Sequence, residues 1–236
     1  MPRSLLALAL LLAAPPALAQ PDVSLGADLV SRYVWRGLDF GQSAAAQPYI
    51  ELSAGGLTVG TWGSFAISGA GANELDLYAS YSFGPLSVGV TDYYFPSVAP
   101  AVGGDVDGGA DFFNYGDGGA HVIEPFVSYD GPVSLTLATN AFNDDDVSTY
   151  LEAGYGLAVG GVDLGLAVGA VFALDSSDGV AGSSYYLTNN DAAITNVMLS
   201  AAKEIPITDQ FALPVFGQYV VNPETERAFL LFGLSL

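Results

Sequence analysis

VSLGADLVSRYVWRGL, residues 23–38, alternates apolar and polar side chains over its whole length. Every second residue from Val23 is apolar, with Ser31 as the exception, and the positions between them carry most of the polar side chains. A two-residue repeat predicts a β-strand with one apolar and one polar face. At roughly 3.3 Å per residue, this strand is longer than the ~9–11 residues that a tilted strand needs to cross a bilayer. The stretch therefore predicts a membrane-spanning strand, with Tyr33 and Trp35 in the aromatic belt at the membrane surface.

The N-terminus has the features of a secretory signal peptide. Arg3 supplies a positive charge, residues 5–14 form an apolar segment, and residues 17–19 provide a cleavage site of small residues. The apolar run is too short for a membrane helix. We therefore expect residues 1–19 to be a cleaved signal peptide and residues 20–236 to form a single domain.

The composition excludes some classes of protein and favours another. The chain has 5 Lys and Arg against 25 Asp and Glu, so nucleic acid, which needs clustered basic residues, is not an expected partner. It has no cysteine, so an exported form has no disulfide framework and depends on backbone pairing and burial. Hydrophobic residues make up 51% of the chain but are dispersed in alternating segments of about ten residues, which is typical of a transmembrane β-barrel.

Alternation recurs along the chain and predicts about twelve strands in an all-β fold. The predicted strands are residues 23–38, 47–53, 57–67, 73–83, 86–95, 121–129, 133–141, 148–159, 163–174, 192–205, 211–221 and 227–236. Short Gly- and Pro-containing turns alternate with longer polar connections, as in outer-membrane barrels. We therefore predict a single antiparallel transmembrane β-barrel of about 12 strands, with both termini at the short-turn end.

The C-terminal strand supports this prediction. In residues 227–236, large apolar side chains recur at every second position from Leu230, and the last residue is Leu236. Such a final strand resembles the signal by which outer-membrane barrels are recognised for insertion, although Phe is the commoner last residue. The expected partners are therefore outer-membrane lipid and the barrel-assembly machinery, which would bind the C-terminal strand.

The same alternation predicts which polar side chains point inward. They are Asp28, Arg32, Arg36, Glu51, Glu74, Asp76, Tyr78, Glu124, Glu152, Asp163 and Arg227. Charges on the lipid face cost roughly 2–4 kcal/mol near the midplane for Arg or Lys, which also favours inward placement. Two interiors are compatible with this set: a water-filled lumen, or a closed interior in which arginines pair with carboxylates.

The basic residues distinguish these interiors most sharply. In a closed barrel the first and last strands are neighbours, so Arg32, Arg36 and Arg227 should converge on one wall. They would then either set a transverse field across a pore, as in porin constrictions, or form a salt-bridge network that closes the barrel. For Arg36 the expected partners are three carboxylates on the following strands, which are Glu51, Glu74 and Asp76.

Two further groups of residues have side chains that could form a reactive or a metal site. His121 is the single histidine, and Asn140 and many serines lie on nearby predicted strands, but no catalytic serine motif is visible, so we do not expect an enzyme. Asp105, Asp107 and Asp111 could hold Ca²⁺, but their spacing fails the EF-hand pattern. We therefore expect neither a metal nor a cofactor.

Two segments resemble a known family. SRYVWRGLDFGQSAAAQPYIELS, residues 31–53, resembles the opening of the bacterial exported family Gcw_chp, and residues 73–96 resemble its next block. The matching residues are Ser31, Tyr33, Arg36, Gly37, Gln42, Ser43 and Pro48. The resemblance implies an outer-membrane β-barrel and no established activity.

We expect the protein to lie in the outer membrane of a Gram-negative-type bacterium. The favoured function is a passive porin-like channel for small polar or cationic solutes, because the predicted lumen and the loops are acidic. The alternative is a non-conducting structural or surface-interaction barrel whose acidic extracellular loops bind a partner or cations.

Overall fold

The computed structural model describes residues 20–68, 72–96, 110–116, 119–175 and 181–236. These residues form an all-β structure, and none of them belongs to a helix long and apolar enough to cross a membrane. The predicted signal peptide, residues 1–19, lies outside the described residues.

The strands follow one another along the chain, and the described residues contain no helix. They are β1 (Asp22–Val30), β2 (Val34–Trp35), β3 (Leu38–Asp39), β4 (Ala45–Ala54), β5 (Leu57–Ala66), β6 (Glu74–Phe83), β7 (Leu86–Tyr94), β8 (His121–Tyr129), β9 (Ser134–Thr139), β10 (Ser148–Val159), β11 (Val162–Ala173), β12 (Ala192–Thr208), β13 (Phe211–Asn222) and β14 (Arg227–Ser235). Of these, β1 and β4 to β14 form a closed barrel in which all neighbouring strands are antiparallel and β1 pairs with both β4 and β14. The prediction of a twelve-stranded antiparallel barrel is confirmed.

The two faces of each barrel strand differ in burial. On β9 and β10, the neighbours Leu137 and Leu151 are 47% and 41% exposed, whereas Ala138 and Tyr150 beside them are 1% and 2% exposed. Because side chains alternate across a strand, the first pair points outward and the second points into the barrel. One large apolar side chain per strand continues this exposed band around the barrel: Leu25, Ile50, Val59, Leu77, Val88, Val127, Leu137, Leu151, Leu166, Leu199, Tyr219 and Leu230.

The two ends of the barrel have different connections. One end, called here the short-turn end, carries the first and last described residues, Gln20 and Leu236, and the turns at residues 55–56, 84–85, 130–133, 160–161 and 209–210. The opposite, long-loop end carries the longer connections, among them residues 31–44 and 174–191. The antiparallel register thus sorts the connections by length, as the sequence predicted.

The first strand is shorter than predicted. β1 ends at Val30, and the chain then leaves the barrel wall and forms the small β2–β3 hairpin. The hairpin turns through Arg36 and Gly37, whose φ angles are 49° and 83°. Two positive φ angles in a two-residue loop are typical of a type I′ turn, which reverses the chain tightly. The prediction of one continuous strand over residues 23–38 is therefore wrong beyond Val30.

The aromatic residues of this segment are also placed differently from the prediction. Tyr33 is 7% exposed, and Trp35 packs on Tyr93 and Tyr186 at ring-centroid distances of 5.5 and 5.8 Å. Both side chains lie among buried residues because the hairpin folds inward. They do not form the outward-facing aromatic belt that the alternation indicated.

Inward-facing aromatic rings pack over glycines of the adjacent strand. The register places Tyr78 opposite Gly60, and a Cβ added at Gly60 would lie 2.5 Å from the Tyr78 hydroxyl oxygen and 2.8 Å from the carbonyl oxygen of Ile50. Tyr49 over Gly26, Phe126 over Gly89 and Phe216 over Gly233 repeat this arrangement. The glycines provide the space that lets bulky rings lie flat against the inner wall.

We predict that Gly60→Ala lowers the free energy of unfolding by about 1–3 kcal/mol, because the methyl group forces Tyr78 and the β4 backbone to shift. Gly156→Ala is the matched control, since the nearest atom to its added Cβ is the Leu164 carbonyl oxygen at 3.7 Å. Urea titration of the refolded barrel measures both variants. Equal losses of unfolding free energy in the two variants would show that the contact between the Tyr78 ring and Gly60 does not contribute to stability.

Candidate functional site in the barrel lumen

A hairpin from the long-loop end extends into the lumen. We call residues 31–40 the plug hairpin. Its Val34 packs against the cluster that contains Val220 on β13, and its Leu38 packs with Val171 on β11. The amide of Asn222 donates a hydrogen bond to the Gly37 carbonyl oxygen at 3.1 Å. The hairpin is therefore fixed against the barrel wall at its tip and on both flanks.

Arg36, at the tip of the plug hairpin, forms an ion pair with Glu124 of β8. Its two terminal nitrogens donate to the two carboxylate oxygens at 2.5 and 3.0 Å. The side chains of Arg36 and Glu124 are 12% and 2% exposed. β8 lies on the far side of the barrel from β1 in the strand order, so this bidentate pair bridges the lumen.

Aromatic rings enclose the guanidinium of Arg36. Its central carbon lies 4.2 Å from the ring centroid of Trp35 and 4.3 Å from that of Tyr150. The Tyr186 hydroxyl accepts a further hydrogen bond from the guanidinium at 2.5 Å, and the Tyr93 hydroxyl donates to Glu124 at 2.9 Å. Cation–π contacts strengthen when water is excluded, so the cluster stabilises the charge at this position.

The neighbouring groups and the burial of this cluster determine the protonation states of Arg36 and Tyr186. Burial lowers the pKa of the Arg36 guanidinium, but the neighbouring Tyr186 and Glu124 outweigh burial and hold that pKa well above its ordinary value. Burial raises the pKa of the Tyr186 phenol, and Arg36 offsets part of this rise. Arg36 therefore remains charged and Tyr186 remains a neutral phenol at any accessible pH.

A second segment from the long-loop end packs beside the plug hairpin. Tyr186 belongs to residues 181–191, which we call the inner loop, and its side chain is fully buried. The hydroxyls of Ser183 and Ser148 are 2.6 Å apart, and Asp146 accepts hydrogen bonds from the backbone nitrogen and hydroxyl of Ser184 at 2.7 and 2.6 Å. These bonds tie the inner loop to the barrel rim, so two segments jointly close the long-loop end.

The other half of the lumen has small polar side chains. Inward positions near the short-turn end include Ser53, Thr58, Ser80, Ser128, Thr136, Gly154 and Ser200, none of which is buried. Small side chains leave space along the axis, so water reaches this half of the interior. The lumen is therefore asymmetric, with an accessible vestibule at the short-turn end and a packed plug at the long-loop end.

The predicted lumen residues divide into four groups. Glu74, Asp76, Tyr78, Glu124 and Glu152 occur on the inward strand face near the plug. Asp28 and Glu51 share that face on β1 and β4, while Asp163 and Arg227 are exposed at strand ends. Arg32 and Arg36 are not strand residues at all, because both lie in the plug hairpin.

Two predictions about the arginines are wrong. The three arginines do not converge on one wall: Arg32 pairs with Asp39 at 3.5 Å and lies 5.8 Å from the Phe229 ring, whereas Arg36 reaches the opposite wall. The partner of Arg36 is Glu124, and not Glu51, Glu74 or Asp76. The physical reason is the turn at Arg36, which directs the side chain across the lumen.

Several residues of this site were not predicted as functional. Tyr93 and Tyr150 occupy inward strand positions, so the alternation could have identified them. The Tyr150 hydroxyl donates to Glu152, and the Asn196 amide donates to the same carboxylate at 3.0 Å. Tyr186 lies in a polar loop without a periodic pattern, so no sequence signal could have found it.

His121 lies on the outward face at the long-loop end and is fully buried. Its Nδ1 is 2.8 Å from an Asp92 carboxylate oxygen, and its Nε2 is 2.7 Å from the Phe112 carbonyl oxygen. The ring stacks with Tyr94 and Tyr115. Both ring nitrogens are thus engaged, and no serine hydroxyl among the described residues contacts them. This arrangement fixes residues 110–116 against the outer wall.

The candidate Ca²⁺ ligands are only partly described. Asp105 and Asp107 lie outside the described residues, and the Asp111 carboxylate accepts a hydrogen bond from the backbone of Phe113 at 2.9 Å. Within the described parts of the chain, no group of three or more His, Cys, Asp or Glu could hold a metal ion.

We predict that Arg36→Ala lowers the free energy of unfolding by about 3–5 kcal/mol, as expected when one partner of a buried ion pair is removed. Arg32→Ala is the control, because the Arg32 side chain is 33% exposed; its cost should be below about 1 kcal/mol. Urea titration of refolded protein measures both losses. A loss for Arg36→Ala no larger than that for Arg32→Ala would contradict the buried bridge.

Comparison with known proteins identifies a family but no activity. Residues 16–203 match the family Gcw_chp, described as a bacterial protein of unknown function. No curated protein matches the chain. Since the match covers most of the chain, including the plug hairpin and the inner loop, the chain belongs to the bacterial family Gcw_chp.

Proposed function

We propose that the protein is an outer-membrane β-barrel and a porin-like channel that the plug hairpin closes. In this proposal the short-turn end faces the periplasm, the long loops face outward, and small polar or cationic solutes use the lumen. The observation that carries it is the hairpin held across the lumen by Arg36 and Glu124, above a vestibule of small polar side chains.

The outer wall supports the membrane location. Among Asp, Glu, Lys and Arg in the barrel strands, Asp92 and Lys203 have outward-facing positions by register. Asp92 contacts His121 at the long-loop end, and Lys203 lies towards the short-turn end. The apolar band between them is thus free of charge. Exposed aromatic residues near the short-turn end, including Phe83, Tyr129 and Phe211, suit a membrane interface.

The same features suit insertion into an outer membrane. Strand β14 closes the barrel against β1, and the backbone of Leu236 exchanges hydrogen bonds with that of Ala27 at 2.9 and 3.1 Å. Closure leaves no open sheet edge, which lipid would not tolerate. Outer-membrane lipid and the barrel-assembly machinery, acting on β14, are therefore the proposed partners.

Leu137→Lys and Thr136→Lys test the membrane location with neighbouring residues on opposite faces of β9. Because Leu137 lies in the apolar band, Leu137→Lys should lower the free energy of unfolding in phospholipid vesicles by about 2–4 kcal/mol. Thr136→Lys points into the lumen opposite Glu152 and should cost much less. Urea titration in vesicles measures both. A larger loss of unfolding free energy for Thr136→Lys than for Leu137→Lys would contradict a lipid-facing apolar band.

Single-channel recording in planar bilayers tests the closed channel. The wild type should remain near baseline conductance, whereas Arg36→Ala, which removes the bridge to Glu124, should raise conductance several-fold. Carboxylates in the vestibule should make the open state prefer cations, and this preference should weaken as salt screens the charges. Arg32→Ala should behave as the wild type.

A second function is favoured by the burial of the Arg36–Glu124 pair. A plug that never leaves the lumen would make the protein a non-conducting barrel whose acidic long loops bind a partner or cations. Failure of both wild type and Arg36→Ala to conduct would reject the channel and favour this alternative.

A further inference from the structure

A cavity lies between the plug hairpin and the wall formed by β5, β6 and β7. It has a volume of about 240 Å³ and is lined by five aromatic residues, Tyr33, Trp35, Trp62, Tyr78 and Tyr93, together with Asp76 and Thr91. The chain contains two tryptophans, and both line this cavity. The plug contributes one side of the cavity, and inward strand residues contribute the rest.

Asp76, which lines this cavity, and Glu74, which lies two residues before it on the same face of β6, lack cationic partners. Glu74 and Asp76 are 2% and 6% exposed, and one oxygen of each, Oε2 of Glu74 and Oδ1 of Asp76, has no hydrogen-bond partner. The guanidinium of Arg36 is occupied by Glu124, and no other Lys, Arg or His of the described residues pairs with either group. Burial of carboxyl groups without compensation costs free energy, which a bound cation would offset.

Apart from Thr91, the remaining lining of the cavity is aromatic, and this determines which kind of cation it can bind. The rings of Tyr33 and Trp62 have centroids 5.5 Å apart, as do those of Trp35 and Tyr93. Ring faces attract alkylammonium groups, which shed water readily, and rings with one carboxylate are the usual features of an ammonium cage. A metal ion such as Ca²⁺ would instead need several carboxylate or carbonyl oxygens, and this lining contains one carboxyl group.

We infer that this cavity binds a small organic cation with an alkylammonium group, held by the rings of Tyr33 and Trp62 and by the carboxyl group of Asp76. The ligand reaches the cavity from the vestibule at the short-turn end. The inference names the substrate class of the proposed channel and rests on that proposal for the route of access, but binding itself requires no conduction.

Equilibrium dialysis of the refolded full barrel in detergent, with radiolabelled choline as the probe, tests the site. Choline should bind saturably and change the fluorescence of the tryptophans, whereas its neutral isostere 3,3-dimethylbutanol should compete at least about tenfold more weakly. Asp76→Asn should weaken choline binding about tenfold. Asp163→Asn, which removes a carboxylate at the short-turn end, should leave binding unchanged.

Trp62→Leu provides a second variant in case Asp76→Asn fails to fold. Folding of both variants is checked by the difference in gel mobility between heated and unheated samples. Absence of saturable choline binding, equal competition by the neutral isostere, or unchanged binding in a folded Asp76→Asn or Trp62→Leu variant would overturn the inference. Choline binding by a barrel that conducts neither as the wild type nor as Arg36→Ala would reject the channel and retain the cation site.

Discussion

The ion pair between Arg36 and Glu124 is the interaction on which the interior of this barrel depends. The closed sheet fixes the backbone of the wall but leaves a polar lumen, and a buried carboxylate at Glu124 needs a cation. Arg36 supplies it from a turn with φ of 49°, a conformation that non-glycine residues adopt at some cost. The bidentate hydrogen bonds and the enclosing rings of Trp35 and Tyr150 offset that cost. The position of the plug, and with it the cavity beside Asp76, follows from this pair.

The architecture was predictable from the sequence because each wall strand has its own two-residue repeat. Residues such as Leu137 and Leu151 point to lipid or solvent, and the glycines and small polar residues between them point inward. The short turns and long connections then define the two ends without any knowledge of strand pairing. Inward placement of Glu74, Asp76 and Glu124 follows from the same repeat, since these residues alternate with the apolar side chains of the outer face.

The plug was not predictable from that repeat, because Tyr33 and Trp35 continue the alternation of β1 although the chain has already left the wall. The local signal for the reversal was the Arg36-Gly37 pair, since glycine accepts the positive φ that a two-residue hairpin requires. The partners of Arg36 are distant in sequence: Glu124 lies 88 residues away and Tyr186 lies 150 residues away. A two-residue repeat seen within about ten residues contains no information about such distant contacts. The prediction that Arg36 pairs with carboxylates on the next strands was therefore wrong.

The plug hairpin lies inside the lumen, and this placement is tested most directly by proton NMR of the barrel in lipid nanodiscs, with labelled tryptophan and tyrosine. The ring protons of Trp35 should show nuclear Overhauser effects to the rings of Tyr93 and Tyr186, whose centroids lie 5.5 and 5.8 Å away. Because Trp62 is the one other tryptophan, the assignment needs a single Trp62→Phe variant. Overhauser effects from Trp35 to lipid acyl chains, without those to the two tyrosines, would place the segment in the membrane wall and contradict the account.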